Sequence, residues 1–584
     1  MFRHHYIEKF HSNFKQEIFA IIFFIALLVV LRFEAVIKIN THYLGGRTAD
    51  AGLYIWLFES NLKNLFELPW FNTGGFYPYT KTLAWSDNFI LPSIIALPFV
   101  NIGLSNIIAY NLILFLSLFL NGFLTYRLGF LWMICLVAAM GGLLFGYDWV
   151  VIGGAKPFYE PYFGIAASPF LQGFAMSTAL VGCLVGAAAS GALTDRFGRK
   201  RLLIVAAFLF TASAVGTAVA PDFNSFNVAR FVGGIGIGLA SNLSPMYIAE
   251  ISPAPMRGRF VSINQLTIVI GILAAQIVNW FIARGVPPNI AGESLLETWH
   301  GQVGWRWMFA AETVPALAFF LMMFVVPESP RWLAKVGRFA AAETILRRVG
   351  GDEYARREVE GIRHTLASEE IGKVHFRDLL TPDVSRILVL GVGLAVLQQW
   401  CGINVIFNYA QEVFAAAGYD IGGIMQTIVL TGIVNMLFTL VAIFTVDRLG
   451  RRALMLFGAA GLAMIYTVLG AAYYFESRGT HMVILIVAAI ACYAMSLAPV
   501  TWVVISEIFP NRIRGAAMSV AVLALWTACT ILTFTFPYLN YWLGSHGTFW
   551  LYAAICVAGF VFVWHRLPET KDKTLEQIEA ELAA

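Results

Sequence analysis

Apolar runs and short polar breaks alternate along most of this chain. From about residue 130 onward the pattern predicts twelve helical spans, at 131–153, 169–193, 201–220, 223–245, 260–283, 305–326, 386–416, 422–446, 453–474, 481–506, 514–538 and 545–567. Most approach or exceed the ~20 residues that an α-helix needs to cross ~30 Å of hydrocarbon. One polar stretch is long. Within 331–385, RFAAAETILRRVGG and YARREVEGIRHTL carry Arg, Glu and Ala with helical periodicity, which predicts a soluble helical linker between two six-span halves. The remaining breaks differ by parity. Those after even-numbered spans are basic, whereas those after odd-numbered spans, such as 154–168 and 475–480, hold few Lys or Arg.

The basic breaks also repeat. GALTDRFGRKR at 191–201 is echoed by TVDRLGRRA at 445–453, which sets Asp195 and Asp447 apart by 252 residues (447 − 195). EISPAPMRGR from Glu250 is echoed by EIFPNRIRGA from Glu507, a spacing of 257 (507 − 250). Two charged motifs in the same order at nearly the same offset indicate an internal duplication. A duplicated membrane bundle is the architecture of a two-lobed transporter, whose substrate sits between the lobes near the bilayer midplane.

Residues 1–129 stand outside the duplication. They predict spans at 17–33 and near 106–126, and an interfacial piece at 89–104 broken by Pro92 and Pro98. The predicted layout is therefore an all-α membrane protein: an N-terminal membrane fragment (1–129), an N-lobe (130–330), a linker (331–385), a C-lobe (386–570) and a tail (571–584). Composition agrees, with 59% hydrophobic and 13% charged residues where soluble domains carry roughly 25% charged. A net charge of +4 gives no reason to expect nucleic acid. The basic residues lie in short turns, so they read as topology and place both termini and the linker in the cytoplasm of a multi-pass protein. The cysteines Cys135, Cys183, Cys401, Cys492, Cys529 and Cys556 lie in apolar stretches without metal-ligand spacing and read as packing residues. No Walker motif or Ser-His-Asp set is present, so neither ATP-driven transport nor hydrolysis is expected, and no metal or other cofactor.

Ionisable residues inside the spans are few, and each is a functional candidate by default. Asp148 ends LLFGYD in the first span and Arg230 opens the fourth. Burial penalises a charged carboxylate and a nearby arginine favours it, so a changing contact between the two would take up and release a proton; a static ion pair is the alternative. At the basic turns, Asp195 can pair with Arg196 or Arg199, or sit at the start of the next helix, and Asp447 is placed likewise. Glu250 with Arg257, and Glu507 with Arg514, flank the ends of the fourth and tenth spans. These groups are candidates for ion-pair clusters that lock one face, or else for solvated topology anchors.

PMYIAEISPAPMRGR (245–259), PESPRWL (327–333), QQWCGINVIFNY (398–409), PETKDKTLEQIE (568–579), the two DR-x-GR-[KR] turns and RFVGGIGIG (230–238) resemble the signatures of the sugar porter family of the major facilitator superfamily. Bacterial xylose:proton symporters are the nearest subgroup. The resemblance implies a bacterial inner-membrane carrier, monomeric, that imports a monosaccharide, pentose or hexose, together with protons. It assigns proton coupling to Asp148 and Arg230, and sugar contacts to Phe145, Gln265, Gln398, Gln399, Asn404, Trp502 and Trp526. Planar amides suit sugar hydroxyls and aromatic faces suit C–H surfaces. Gating falls to Asp195, Arg196, Arg199, Glu250, Arg257, Asp447, Arg448, Arg451, Glu507 and Arg514 on one side, and to Asn408 and Tyr409 on the other. Glu312 is grouped with the gating residues, with proton coupling as its second reading. Leu525 stands where the family usually has an amide, Asn408 where it has the first tyrosine of a pair, and Ala498 where glycine is common. GGRTADAGLYIWLFESNLKNLF (45–66) and FYPYTKTLAWSDNFILP (76–92) resemble the start of GT-C-type membrane glycosyltransferases, with Asp50, and Asp87 beside it, as the carboxylates to match; the fragment is read as inert. The competing readings are a sugar facilitator without proton coupling and, in a different class, a membrane glycosyltransferase.

Overall fold

A computed structural model describes residues 130–287, 290, 292–371, 379, 381–509, 513–571 and 573. The expectations for residues 1–129 lie outside the described residues.

The first half supplies helices α1 (Phe130–Tyr162), α2 (Pro169–Phe197), α3 (Arg199–Val219), α4 (Phe223–Ile251) and α5 (Arg257–Ile282). Its sixth span is two pieces, α6 (Trp305–Ala310) and α7 (Thr313–Met323), led in by a π-helical turn at His300–Gly304. The linker holds α8 (Pro330–Lys335) and α9 (Phe339–Ile371), the latter broken at Gly351. In the second half the seventh span is three pieces: α10 (Pro382–Trp400), α11 (Ile403–Asn408) and α12 (Ala410–Ala416). Then follow α13 (Ile421–Leu449), α14 (Arg451–Tyr474), a tenth span split into α15 (Thr480–Met495) and α16 (Leu497–Ile508), and α17 (Arg514–Arg566).

Eleven helical stretches among the described residues are long and apolar enough to cross a membrane. The last of them, α17, has 53 residues, about 80 Å at 1.5 Å per residue, far more than one crossing. It bends at Gly544, whose φ of 66° and ψ of 174° are non-helical, so the turn expected at 539–544 contracts to one residue and divides the eleventh span from the twelfth. The first span differs in the other direction. It continues past 153 to Tyr162 through Pro157 and Pro161, because a membrane helix can re-satisfy the backbone groups that proline frees.

Local chemistry explains the ends. At the end of the bundle opposite the basic turns, Asp222 caps α4 in a reciprocal pair with Ser225, Asp420 caps α13, and the Ser168 Oγ accepts from the Leu171 N–H at the start of α2. At the basic end, Gly198 and Gly450 join α2 to α3 and α13 to α14 with φ of 89° and 90°, a conformation that a Cβ disfavours. The glycines of RFVGGIGIG serve packing, as their place within an apolar helix predicts. A Cβ on Gly234 or Gly238 would strike the carbonyls of Ala179 or Cys183, and one on Gly182 or Gly186 those of Phe231 or Ile235, so α2 and α4 lie backbone to backbone. Gly191 of the basic turn, by contrast, faces open space. Between the halves, α2 packs on α17 and α5 on α13.

Candidate functional site

Asp148 and Arg230 meet in the core of the first half. An Arg230 Nη donates to an Asp148 carboxylate oxygen, a second Nη donates to the Asp148 carbonyl at 3.2 Å, and the guanidinium lies 5.5 Å from the centre of the Phe309 ring. Both side chains are at most 2% exposed. The other carboxylate oxygen and the Arg230 Nε have no hydrogen-bond partner. Beside the pair is a cavity of about 10 Å³, lined by Trp149, Ile152, Met176, Arg230 and Asn408 among others, room for one water at most. Glu312 departs from its grouping with the basic turns. At the junction of α6 and α7, where the backbone stays helical, it lies in the core, 2% exposed, and Asp148 and Arg230 act on it electrostatically. Three buried ionisable groups therefore interact in the core of the first half, two of them acidic.

The amides gather in the second half. Gly402, at φ 84°, breaks the seventh span and turns Asn404 back toward the end of α10. Asn404 donates to Gln399 at 2.5 Å, Gln399 to Gln398 at 3.1 Å, and Gln398 to the Ala498 carbonyl at 3.1 Å, where α16 begins. All three are buried. Phe145 of α1 lies 5.8 Å from Trp526 of α17, ring centre to ring centre, and Trp149 packs on both at 5.9 Å, closing an aromatic cluster across the halves. The Trp526 indole N–H is buried without an acceptor. Leu525 is buried beside it. Gln265 is half-buried on α5, and Trp502 stands apart from the ring cluster, 37% exposed.

The end opposite the basic turns is closed by backbone contact. A Cβ on Gly153 of α1 would strike the carbonyls of Phe407 and Asn408. Asn408 and Tyr409 are buried there, and the Tyr409 hydroxyl donates to the Thr533 carbonyl at 2.6 Å. Lys156 of α1 pairs with Glu160, one turn on, and with Glu412 of α12.

At the basic end each half builds the same clasp. In the first, Arg199 pairs with Glu250 at 2.8 Å, Ser329 bonds the other oxygen of Glu250, and one oxygen of Glu328 accepts the backbone N–H of Arg199, Lys200 and Ser329 at 2.8–3.0 Å. In the second, Arg451 pairs with Glu507 at 3.1 Å and Thr570 bonds its other oxygen at 2.6 Å. Glu569 there accepts from the N–H of Arg451, Arg452, Thr570 and Lys571 at 2.8–3.1 Å. Partial burial works to raise the Glu569 carboxyl, but the N–H groups donated to it outweigh burial and hold it below the usual carboxylate range. Asp195 pairs with Lys335 of α8 at 2.9 Å and more distantly with Arg199 at 3.9 Å. Arg196 lies over the Phe197 ring, Arg257 donates to the Ala249 carbonyl rather than to Glu250, and the Arg448 carbonyl accepts from Lys571. The pairs Arg199–Glu250, Arg451–Glu507 and Asp195–Lys335 join partners within one half or to the linker. The side chains of Asp447 and Arg514 lie outside what is described.

Sequence reading passed over Trp149, Lys156, Glu160, Glu412 and Gln276. Gln276 crosses from α5 to Thr431 of α13 at 3.5 Å and packs on Gly432. The available signal for the charged three was their position. Lys156 and Glu160 fall beyond the predicted end of the first span at 153, in the connection 154–168, whereas α1 runs on to Tyr162.

The profile of the sugar (and other) transporter family matches residues 134–582. The D-xylose-proton symporter of Escherichia coli (strain K12) is 41% identical over 486 residues, covering 78% of this chain and 96% of the relative. The arabinose-proton symporter of Bacillus subtilis (strain 168) is 38% identical over 456 residues, with 78% and 96% covered. Among solved structures, the inward open conformation of the xylose transporter XylE from E. coli aligns with a TM-score of 0.67 at 39% identity, over 77% of this chain and 99% of that one. The proton:xylose symporter XylE bound to 6-bromo-6-deoxy-D-glucose aligns with a TM-score of 0.65 at 40% identity, over 78% and 100%. The family match begins at residue 134, so it lends no support to the likeness of the first 129 residues to glycosyltransferases.

Proposed function

The chain belongs to the sugar (and other) transporter family, and on that premise we propose that it imports a monosaccharide in symport with protons by alternating access, with a pentose as its substrate. Relatives named as D-xylose- and arabinose-proton symporters, each covered almost end to end, favour both the coupling and the sugar class. The basic turns face the cytoplasm under the positive-inside rule.

The buried Asp148–Arg230 pair carries the reading. A proton arriving on Asp148 neutralises the carboxylate, and Arg230 loses its principal charged partner. Glu312 also feels the guanidinium electrostatically, so when the proton neutralises Asp148, Arg230 keeps a second acidic neighbour. The sugar is bound by the Gln398–Gln399–Asn404 chain and the Phe145–Trp149–Trp526 rings. Its hydroxyls replace the bonds that the amides make to one another, and its C–H faces lie on the aromatic planes. Coupling follows when proton and sugar each favour the same conformations. No chemical step is assigned to the chain.

Uptake in cells expressing the chain tests this with radiolabelled D-xylose, L-arabinose and D-glucose, with and without a protonophore. Symport requires accumulation that collapses with the protonophore, together with alkalinisation of a weakly buffered medium when sugar is added. Counterflow with no response to either would establish a facilitator instead.

A further inference from the structure

The one buried lysine of α1 has two acidic partners on different halves of the molecule. Lys156 is 1% exposed. Its Nζ is 3.1 Å from a Glu160 oxygen on the same helix, bonds Glu412 of α12 across the interface, and lies 5.0 Å from the centre of the Tyr409 ring. The contact is at the end of the bundle opposite the basic turns, about 12 Å along α1 from Asp148. At the same level the Gly153 backbone touches that of Phe407 and Asn408. The Glu160 oxygen that faces Lys156 and the second oxygen of Glu412 are buried without a hydrogen-bond partner, and Lys156 is the cation beside both carboxylates.

We propose that Lys156 and Glu412 form an ionic latch that holds the two lobes together on the external side, and that Glu160 is the partner to which Lys156 retreats when the latch opens. The proposal rests on the alternating-access reading. Breaking a buried pair is expensive chiefly because it leaves one charge uncompensated. Here opening removes Glu412 with the second lobe into entering water, while Lys156 keeps a carboxylate one turn away on its own helix. Glu412 therefore stabilises the closed external side, and Glu160 lowers the cost of opening it. The two carboxylates act on one lysine with opposite sign. A role in packing alone would make both substitutions shift the equilibrium in the same direction, or in neither.

The test uses purified full-length chain in lipid nanodiscs. Spin labels are attached to cysteines introduced at Ala167 and Thr480, which are exposed, belong to different lobes and lie at the Lys156 end. All six native cysteines are buried. Pulsed dipolar spectroscopy then reads the short and long distances, with and without D-xylose. Glu412→Gln is expected to raise the long-distance population about fivefold or more, and Glu160→Gln to lower it by a similar factor. Glu412→Asp, which keeps the charge, is expected to stay within about twofold of the unaltered chain. Shifts of the same sign in the two glutamine variants, or no shift in either, would overturn the latch while leaving alternating access intact. One unchanging distance in the unaltered chain under every condition would remove alternating access, and the latch with it. If Glu412→Gln does not insert, the pair Glu160→Gln and Glu412→Asp still decides, since an unaltered population in Glu160→Gln refutes the retreat.

Discussion

Replacing Glu569 by glutamine should destabilise the molecule more than the same change at its counterpart Glu328. At Glu569 the load is shared: one oxygen accepts from Arg451, Thr570 and Lys571, and the other from Arg452 at 3.1 Å. A glutamine keeps one acceptor oxygen and turns an NH₂ toward the remaining N–H, so one bond is lost and the others lose their charge assistance. At Glu328 the three N–H groups all converge on one oxygen. There glutamine keeps every bond and loses only the charge. Hydrogen bonds to charged groups contribute ~1.5–3 kcal/mol and neutral ones ~0.5–1.5. A negative charge at a helix N-terminus adds ~0.3–1 kcal/mol. After discounting for solvent screening at a partly exposed site, Glu569→Gln should cost about 1–2 kcal/mol and Glu328→Gln less than about 1 kcal/mol. For a chain this long, that is a melting shift of roughly 1–2 °C for Glu569→Gln. The assay is thermal unfolding in detergent, read by a thiol-reactive dye, because the six native cysteines are all buried. The pH dependence has a fixed sign. A carboxyl held below its ordinary value of 4.5 contributes fully above that value and loses its contribution as pH falls through the lower folded value, so the gap between the unaltered chain and Glu569→Gln should close on acidification. An equal or larger shift for Glu328→Gln, or a gap that widens in acid, would refute the reasoning.

Asp148→Asn should abolish uphill sugar accumulation while preserving exchange, measured as protonophore-sensitive uptake against counterflow; a variant that still concentrates sugar would remove Asp148 from coupling. Gln398→Ala or Gln399→Ala should weaken sugar binding by ~1–3 kcal/mol, read by calorimetry, and Leu525→Gln should change sugar preference more than expression level. Gly234→Leu should prevent α2 and α4 from docking, since even a Cβ there meets the Ala179 carbonyl, and should sharply reduce folded protein in size-exclusion profiles. A chain lacking 1–128 should transport like the whole, given that the family match begins at Ile134; normal insertion without uptake would assign that segment a role.

Much of this arrangement was legible because membrane physics leaves few choices. An apolar run with one carboxylate announces Asp148, and a glycine after two amides announces the break at Gly402, whose positive φ requires it. What escaped had different causes. Lys156 and Glu160 follow or flank prolines, and local sequence carries no sign that neighbouring helices will tolerate a proline inside α1. Glu312 needed the packing of the sixth span against α1 and α4 to show that it lies with Asp148 and Arg230. Glu328 and Glu569 belong to motifs recognised separately, PESPRWL and PETKDKT. Their equivalence appears only when each is seen closing onto the glycine turn of its own lobe.

That closure also sets an order of construction. Glu328 and Ser329 come after all six spans of their lobe in the chain, yet they finish the start of α3 and hold the end of α4 through Arg199 and Glu250. The last segment of the lobe thus completes its third and fourth helices. During synthesis, the first lobe can be sealed by its own sequence as soon as Ser329 has emerged, before any of α10 exists. The second half repeats this with Glu569 and Thr570, close to the end of the chain. Assembly then reduces to the docking of two finished units, and a ribosome stalled inside the linker would leave behind a first lobe already able to hold its shape.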